Sequence, residues 1–402
     1  DRRARWGALL FRLACAAPAH AATRKSTGGV EFPASTRDYV GTLGTKGIEL
    51  SLTRVDTVLS GVYCYQPCSD KSRSLLRLQG SVTGAKARIA ETDLSGAQAR
   101  QTGHWQLEVG EDELAGIWTA PDGKRSLPLH LRASPAFPFE IRVIADRRPA
   151  NGECADPPHV SAVRLYQHGR LLQTLPTSSD GSCDIFVPNL VDVNFDGRPD
   201  LTIAEHMPAG PNMSYQTWLY DPARRRFVNA PASLQEITSP QFDSRHRTIV
   251  SSWRASCCEH GVTTYRWRGH DVEETATATS GLLAVLDGKR KLFCYTMPAY
   301  VDGHIEFPDR VEQDGERLRL TFTDLRDCDA NLTMFREPQL TIWKRTGKGA
   351  PELLRTETVA WKPRQSASGP VVCPEVPFFA GGRIERIVLD DDPDTHCHPP
   401  EQ

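Results

Sequence analysis

The chain has 402 residues, 39% of them hydrophobic, and a formal net charge of −2. That length suggests two or three domains. The near-neutral charge gives no concentrated basic face of the kind that reads as nucleic-acid binding, and past the N-terminus nothing approaches the roughly 18–20 apolar residues of a membrane span.

The opening DRRARWGALLFRLACAAPAHAA reads as a secretory signal peptide over residues 1–21. Arg2, Arg3 and Arg5 form a basic start, Ala8 to Ala17 are largely apolar despite Arg12, and Ala19-His20-Ala21 is a small-residue cleavage site. The expected location is periplasmic or secreted. Of 11 cysteines, Cys15 falls in this segment. The remaining even number fits disulfides formed in an oxidising compartment, and the paired C-x-x-C units of a zinc site are missing. Proximity in sequence suggests Cys64 with Cys68, Cys154 with Cys183, Cys294 with Cys328, and Cys373 with Cys397. The adjacent Cys257 and Cys258 are left to bond each other or two different partners.

The rest reads as all-β: two or three small antiparallel β domains. In region 26–132, GIELSLTRV alternates at Ile48, Leu50 and Leu52, and LLRLQGSV continues with Leu76 and Leu78 before Gly80, read as a turn. PDGK at Pro121–Lys124 is a hairpin turn. RASPAFPFE follows as a stiff proline-bearing linker. In region 140–274, VRLYQHGRLLQTL turns at His168-Gly169, and QTWLYDPARRRFV turns at Asp221-Pro222. A further hairpin pair is expected to turn near His260-Gly261. Trp218, Tyr220, Phe227, Trp253, Tyr265 and Trp267 are candidates for a sheet core. ASLQEI, Ala232 to Ile237, allows one or two helical turns at most. Region 275–402 is strand-like and ends in an acidic, His-bearing tail.

Within the central region, LVDVNFDGRPDLTI spaces Asp192, Asn194, Asp196, Gly197, Arg198 and Asp200 as positions 1, 3, 5, 6, 7 and 9 of an EF-hand-type loop. Hard cations take such oxygen ligands, here side chains from Asp192, Asn194, Asp196 and Asp200 with the Arg198 carbonyl. Three acids and one amide suit one Ca²⁺. Ile203 stands where an EF-hand has its bidentate acid, and the flanks IFVPNLV and LTIAE are strands. The expectation is therefore an EF-like calcium loop on a β scaffold, structural rather than catalytic.

The combination of VDVNFDGRPDL, the Gly/Pro/Asn stretch MPAGPNMSYQTWLYDPARRRFV and a returning Y-R-W strand resembles the periplasmic immunity proteins that accompany lysozyme-like effectors of antibacterial type IV secretion systems. The resemblance covers about 130 residues of the central region. It implies Ca²⁺ binding, an envelope location and inhibition of a peptidoglycan hydrolase.

A cleft inhibitor needs a short projecting loop. HMPAGPNMSY supplies the candidate, with Met207, Pro211, Asn212, Ser214 and Tyr215 as contacts and Tyr a favoured anchor. No G-x-S-x-G, H-E-x-x-H or P-loop appears, so no catalytic residue is expected. Cys257 near His260 fits a disulfide better than a nucleophile. The alternative is a structural or glycan-binding envelope module with no inhibitory activity, for which Trp105, Trp118, Trp343 and Trp361 would be the sugar-stacking candidates.

Overall fold

The computed structural model describes residues 29–68, 76–149, 157–180, 187–206, 208, 210–256, 259–321, 328, 337–344, 351–390 and 396–400. The expected signal peptide, Cys154, Cys183, Met207, Cys257 and Cys258 lie outside them.

The chain is nearly all strand, as the alternation requires. Eight strands pair antiparallel in chain order: β1 (Val30–Leu43), β2 (Lys46–Val55), β3 (Val58–Tyr65), β4 (Leu76–Thr83), β5 (Lys86–Asp93), β6 (Arg100–Val109), β7 (Glu113–Thr119) and β8 (Ser126–Ala133). β8 returns to pair with β1, from Tyr39↔Ala133 to Leu43↔Leu129, and closes an up-and-down barrel. Inward-facing residues fill it, among them Ile48, Leu50, Tyr63, Leu78, Trp105, Leu114 and Leu129. Gly80 is not a turn residue. It lies inside β4, where an added Cβ would stand 2.1 Å from the Arg88 carbonyl oxygen of the next strand. The turn falls at Gly84, with φ +60.

The barrel and the central region share a strand. Val30–Pro33 of β1 pair with β9 (Glu140–Ala145), and Thr36 pairs in parallel with Asn189 of β12 (Asn189–Val191). β9 continues to β10 (Val160–Gln167) and β11 (Arg170–Ser179), and β12 continues to β13 (Asp200–Ala204), β14 (Tyr215–Asp221) and β15 (Arg226–Asn229). One core lies among these strands, with Phe32, Val143, Val163, Ile203, Trp218 and Phe227 buried in it. The linker is part of this core: Phe137 and Phe139 are 2% and 7% exposed. The segment is apolar enough to be buried, and its prolines do not hold it in solvent. Strand pairing therefore crosses the boundary expected between 132 and 140.

After α1 (Ala232–Gln235), the short helical turn anticipated from ASLQEI, come β16 (Pro240–Asp243), β17 (Thr248–Arg254), β18 (His260–Arg268) and β19 (Asp271–Thr279), one antiparallel sheet. The β17–β18 connection precedes His260. Gly261 is paired with Trp253 inside the sheet, and a Cβ there would sit 2.1 Å from the Trp253 ring. Its lack of a side chain makes room for the indole rather than for a turn.

The C-terminal part has two main sheets. β20 (Gly281–Asp287) and β21 (Arg290–Thr296) join β28 (Ala360–Ser366), β29 (Gly369–Ala380) and β30 (Arg383–Val388). β24 (Arg310–Asp314), β25 (Arg317–Thr321), β26 (Leu340–Lys344) and β27 (Glu352–Glu357) form the second. A small hairpin, β22 (Ala299–Val301) and β23 (His304–Glu306), lies between them in sequence. Disulfides join Cys64 to Cys68, Cys294 to Cys328 and Cys373 to Cys397, three of the four expected pairs. No helix among the described residues is long and apolar enough to cross a membrane.

Candidate calcium loop and the projecting loop

The calcium-type loop connects β12 to β13, and period-two alternation sorts its side chains. Val193 and Phe195 turn inward and pack with Leu234, Ile237, Ile249 and Val272. Asp192, Asn194 and Asp196 are left on the solvent side. The inward face is also held by polar contacts. The Trp267 indole N–H donates to the Val193 carbonyl at 2.8 Å, and Arg247 Nη1 donates to the Phe195 carbonyl at 3.0 Å. Phe195 has φ 59, unfavourable for an aromatic residue, and its burial offsets that strain. Gly197 takes φ 86 at the sharp turn, the conformation a sixth-position glycine permits.

The loop's carboxylates fold the backbone around themselves. Asp192 accepts the amide hydrogens of Asp196 (3.0 Å) and Gly197 (2.8 Å) on its two oxygens. Asn194 Oδ1 also accepts from Asp196 (3.0 Å), and Asp196 Oδ1 accepts from Arg198 (2.8 Å). Asp200 is fully buried, at 0% exposure. Its oxygens accept the amide hydrogens of Val193 (3.1 Å) and Tyr220 (2.8 Å). Burial pushes its carboxyl up to about 7. The two amides oppose this, and Asp196 and Asp192 add to it. No ion pair among the described residues includes Asp200.

These donors fit a hard cation. All are oxygens, and each carboxylate oxygen that accepts one amide hydrogen keeps a further lone pair. The Asp192, Asp196 and Asp200 carboxylates are not drawn together within 4.8 Å; among the described residues the group that is comprises Glu49, Cys64 and Cys68, two of them disulfide-bonded.

The projecting loop lies elsewhere. It joins β13 to β14, so it and the calcium-type loop sit at opposite ends of β13, roughly 14 Å of strand apart at about 3.4 Å per residue. The loop is tied down instead by its own neighbours. The Asn212 side chain donates to the Arg254 carbonyl and accepts from the Arg254 amide, both at 2.8 Å. Ser239 Oγ donates to the Pro211 carbonyl and accepts from the Met213 amide. The Ser214 carbonyl takes the Glu205 amide hydrogen at 3.0 Å. Tyr215 packs on Ala204 and Met213, and burial raises its hydroxyl pKa. Pro211 remains exposed. The Tyr220–Asp200 bond ties the calcium-type loop to β14, the strand that leads into the turn at Asp221-Pro222.

A family model described as a domain of unknown function (DUF8339) matches residues 282–400, which begin in β20 and span both C-terminal sheets. No curated protein matches the chain. Among solved structures, a Xanthomonas protein described as type IV secretion system related is 18% identical over 42% of this chain and 88% of that one, with a TM-score of 0.28. TolB from Acinetobacter baumannii is 15% identical over 62% of this chain and 57% of its own, with a TM-score of 0.18. Scores of this size lie below those of a shared overall fold.

The remaining candidates separate by burial. Trp105 is fully buried, Trp118 donates to Glu91, and Trp343 stacks against Phe307. Trp361 is 41% exposed and lies on the His398 ring at 4.6 Å.

The buried Glu91 was not singled out by its sequence. Inside the barrel it accepts from Tyr63 (2.9 Å), Thr102 (2.8 Å), Trp105 (2.7 Å) and Trp118 (3.1 Å). Desolvation, then the Glu91 charge, raises the Tyr63 pKa, so the phenol stays a donor. A lone Glu in a strand reads as solvent-facing. The only signal was its place in phase with Ala87 and Ile89.

Proposed function

We propose that the protein is an exported calcium-binding protein of the bacterial cell envelope that inhibits a lysozyme-like peptidoglycan hydrolase. The observation that carries the calcium part is the buried Asp200 carboxylate, without a cationic partner among the described residues, beneath two further loop carboxylates. An ionised carboxylate so placed is costly unless a cation is near. Bound Ca²⁺ would supply that charge, held by Asp192, Asn194, Asp196, Asp200 and the Arg198 carbonyl. The protein side of the site already provides the turn at Gly197 and the anchoring of Val193 and Phe195.

The inhibitory role is supported by the resemblance of residues 140–274 to immunity proteins and by the pinned stretch at 211–215. Pinning by Arg254 and Ser239 lowers the ordering cost of association. The protein acts in this reading as a binder without catalytic residues. Three disulfides fit the envelope or an extracellular setting.

Peptidoglycan hydrolysis by a lysozyme-like enzyme, assayed with wild type and Tyr215→Ala at matched folding, tests this. Inhibition by wild type and a loss of about 2 kcal/mol in the variant, about thirtyfold in affinity, is expected. Absence of inhibition by wild type would favour the envelope-module alternative, for which the exposed Trp361 is the specific observation.

A further inference from the structure

We propose that the mouth of the barrel binds an aliphatic carboxylate, its head held by Arg54 with Tyr39 and its chain against an apolar wall. The register of β1 and β2 pairs Ser35 with Arg54, Arg37 with Leu52, and Tyr39 with Leu50. Leu50 and Leu52 are buried in the barrel, so the same alternation turns Ser35, Arg37, Tyr39 and Arg54 inward too. The filling is complete deeper in, at Leu50, Tyr63, Leu78 and the buried Glu91. It stops at the end where the turns at Gly84 and Gly110 lie, leaving a cavity of about 380 Å³. That volume is within the roughly 300–1,000 Å³ of small-molecule sites, and barrel mouths are a common place for them.

Two arginines face this space, and their roles differ. Arg37 is 9% exposed and is spent on the Tyr39 hydroxyl oxygen, which keeps its O–H for a ligand, and on backbone carbonyls: those of Glu111 (2.6 Å), Phe137 (3.4 Å) and Phe139. It anchors the 134–139 segment. Arg54 donates only its Nε, to the Asp56 carbonyl at 2.9 Å, and forms no ion pair among the described residues. Its terminal nitrogens are left for a ligand. The acidic groups nearby have other partners. Glu140 is held by Arg142 (2.9 Å) and Glu111 by His168. Asp56 is held by Arg148 (2.6 Å), and Asp112 accepts the Phe137 amide hydrogen. Burial lowers the Arg54 pKa, and the nearby Glu140 and Asp56 charges oppose this only in part. Leu52, Leu59, Val109 and Ile141 form the apolar wall. A guanidinium fork and a phenol select a carboxylate head, and the wall selects a hydrocarbon body.

The proposal is independent of the calcium reading. Its test is calorimetric titration of the full chain with decanoate, and with decanol as the uncharged counterpart, on wild type, Arg54→Gln and Ser35→Phe. Ser35→Phe fills the cavity from its rim and covers the case in which Arg54→Gln does not fold. The expected result is saturable one-to-one decanoate binding by wild type, weakened about tenfold or more in each folded variant, and weaker binding of decanol. Absence of decanoate binding by wild type, unchanged affinity in a folded variant, or equal affinity for decanol would overturn it.

Discussion

Asp200 Oδ1 accepts the backbone amide hydrogen of Tyr220 at 2.8 Å, and this bond fastens the calcium-type loop to the neighbouring hairpin. The other oxygen of the same carboxylate takes the Val193 amide. One fully buried side chain thus closes the loop and joins it to the sheet. Asp200→Ala removes both acceptors and leaves the buried Val193 N–H and the half-buried Tyr220 N–H unsatisfied, at about 1–3 kcal/mol for a fully buried group. The expected outcome is a melting temperature well below that of Asp196→Ala, whose side chain is exposed, when both are measured without calcium. Equal melting temperatures would contradict the anchoring role.

Glu91 is expected to be the most sensitive polar residue of the barrel. Glu91→Ala leaves the Tyr63 hydroxyl and the Trp105 and Trp118 indoles without their acceptor. At about 1–3 kcal/mol for each buried unsatisfied group, a loss of about 3 kcal/mol or more follows. Urea unfolding checks it. A variant within about 0.5 kcal/mol of wild type, the range of ordinary surface substitutions, would mean the cluster adds little.

Gly261→Ala puts a methyl group against the Trp253 ring, 2.1 Å from its nearest atom. The indole must move, breaking its 2.9 Å bond to Thr263. A destabilisation of about 1–3 kcal/mol is expected, as for overpacked cores, together with a shifted Trp253 fluorescence signal. Gly197→Ala, at an exposed turn with open space for a Cβ, is expected to act through backbone strain instead and leave that signal unchanged.

Cys64, Cys68, Cys294, Cys328, Cys373 and Cys397 are expected to be unreactive to thiol reagents in denatured, unreduced protein, since all six are paired. Cys294→Ala with Cys328→Ala is expected to cost about 2–5 kcal/mol. Mass spectrometry after alkylation, showing labels on any of the six, would contradict the pairing.

The strands were legible because alternation at residues such as Ile48, Leu50 and Leu52 is a local signal. So were the turns at His168-Gly169 and Asp221-Pro222, and the loop from Asp192 to Asp200. Closure of the barrel was not, because β1 and β8 are separated by most of the first region and nothing local in either encodes the partner. For the same reason the double pairing of β1, which ties the barrel to the central strands, left no trace in composition. Gly80 and Gly261 suggest turns in the sequence, yet both sit inside strands. A glycine signals close approach as well as a bend, and only the neighbouring strand distinguishes the two. Few residues separate the calcium-type and projecting loops in the sequence. Those residues form β13, and an extended strand places its two ends far apart.

The most direct test of the central claim is a calcium titration by isothermal calorimetry on metal-free protein, run beside Asp196→Ala and followed by thermal melts with and without chelator. The account predicts one Ca²⁺ per chain for wild type. It also predicts a stability gain of about 2.7 kcal/mol at a hundredfold excess over Kd, from preferential binding to the folded state, and neither effect in the variant. A wild-type protein that takes up no calcium and melts at the same temperature in chelator would contradict it.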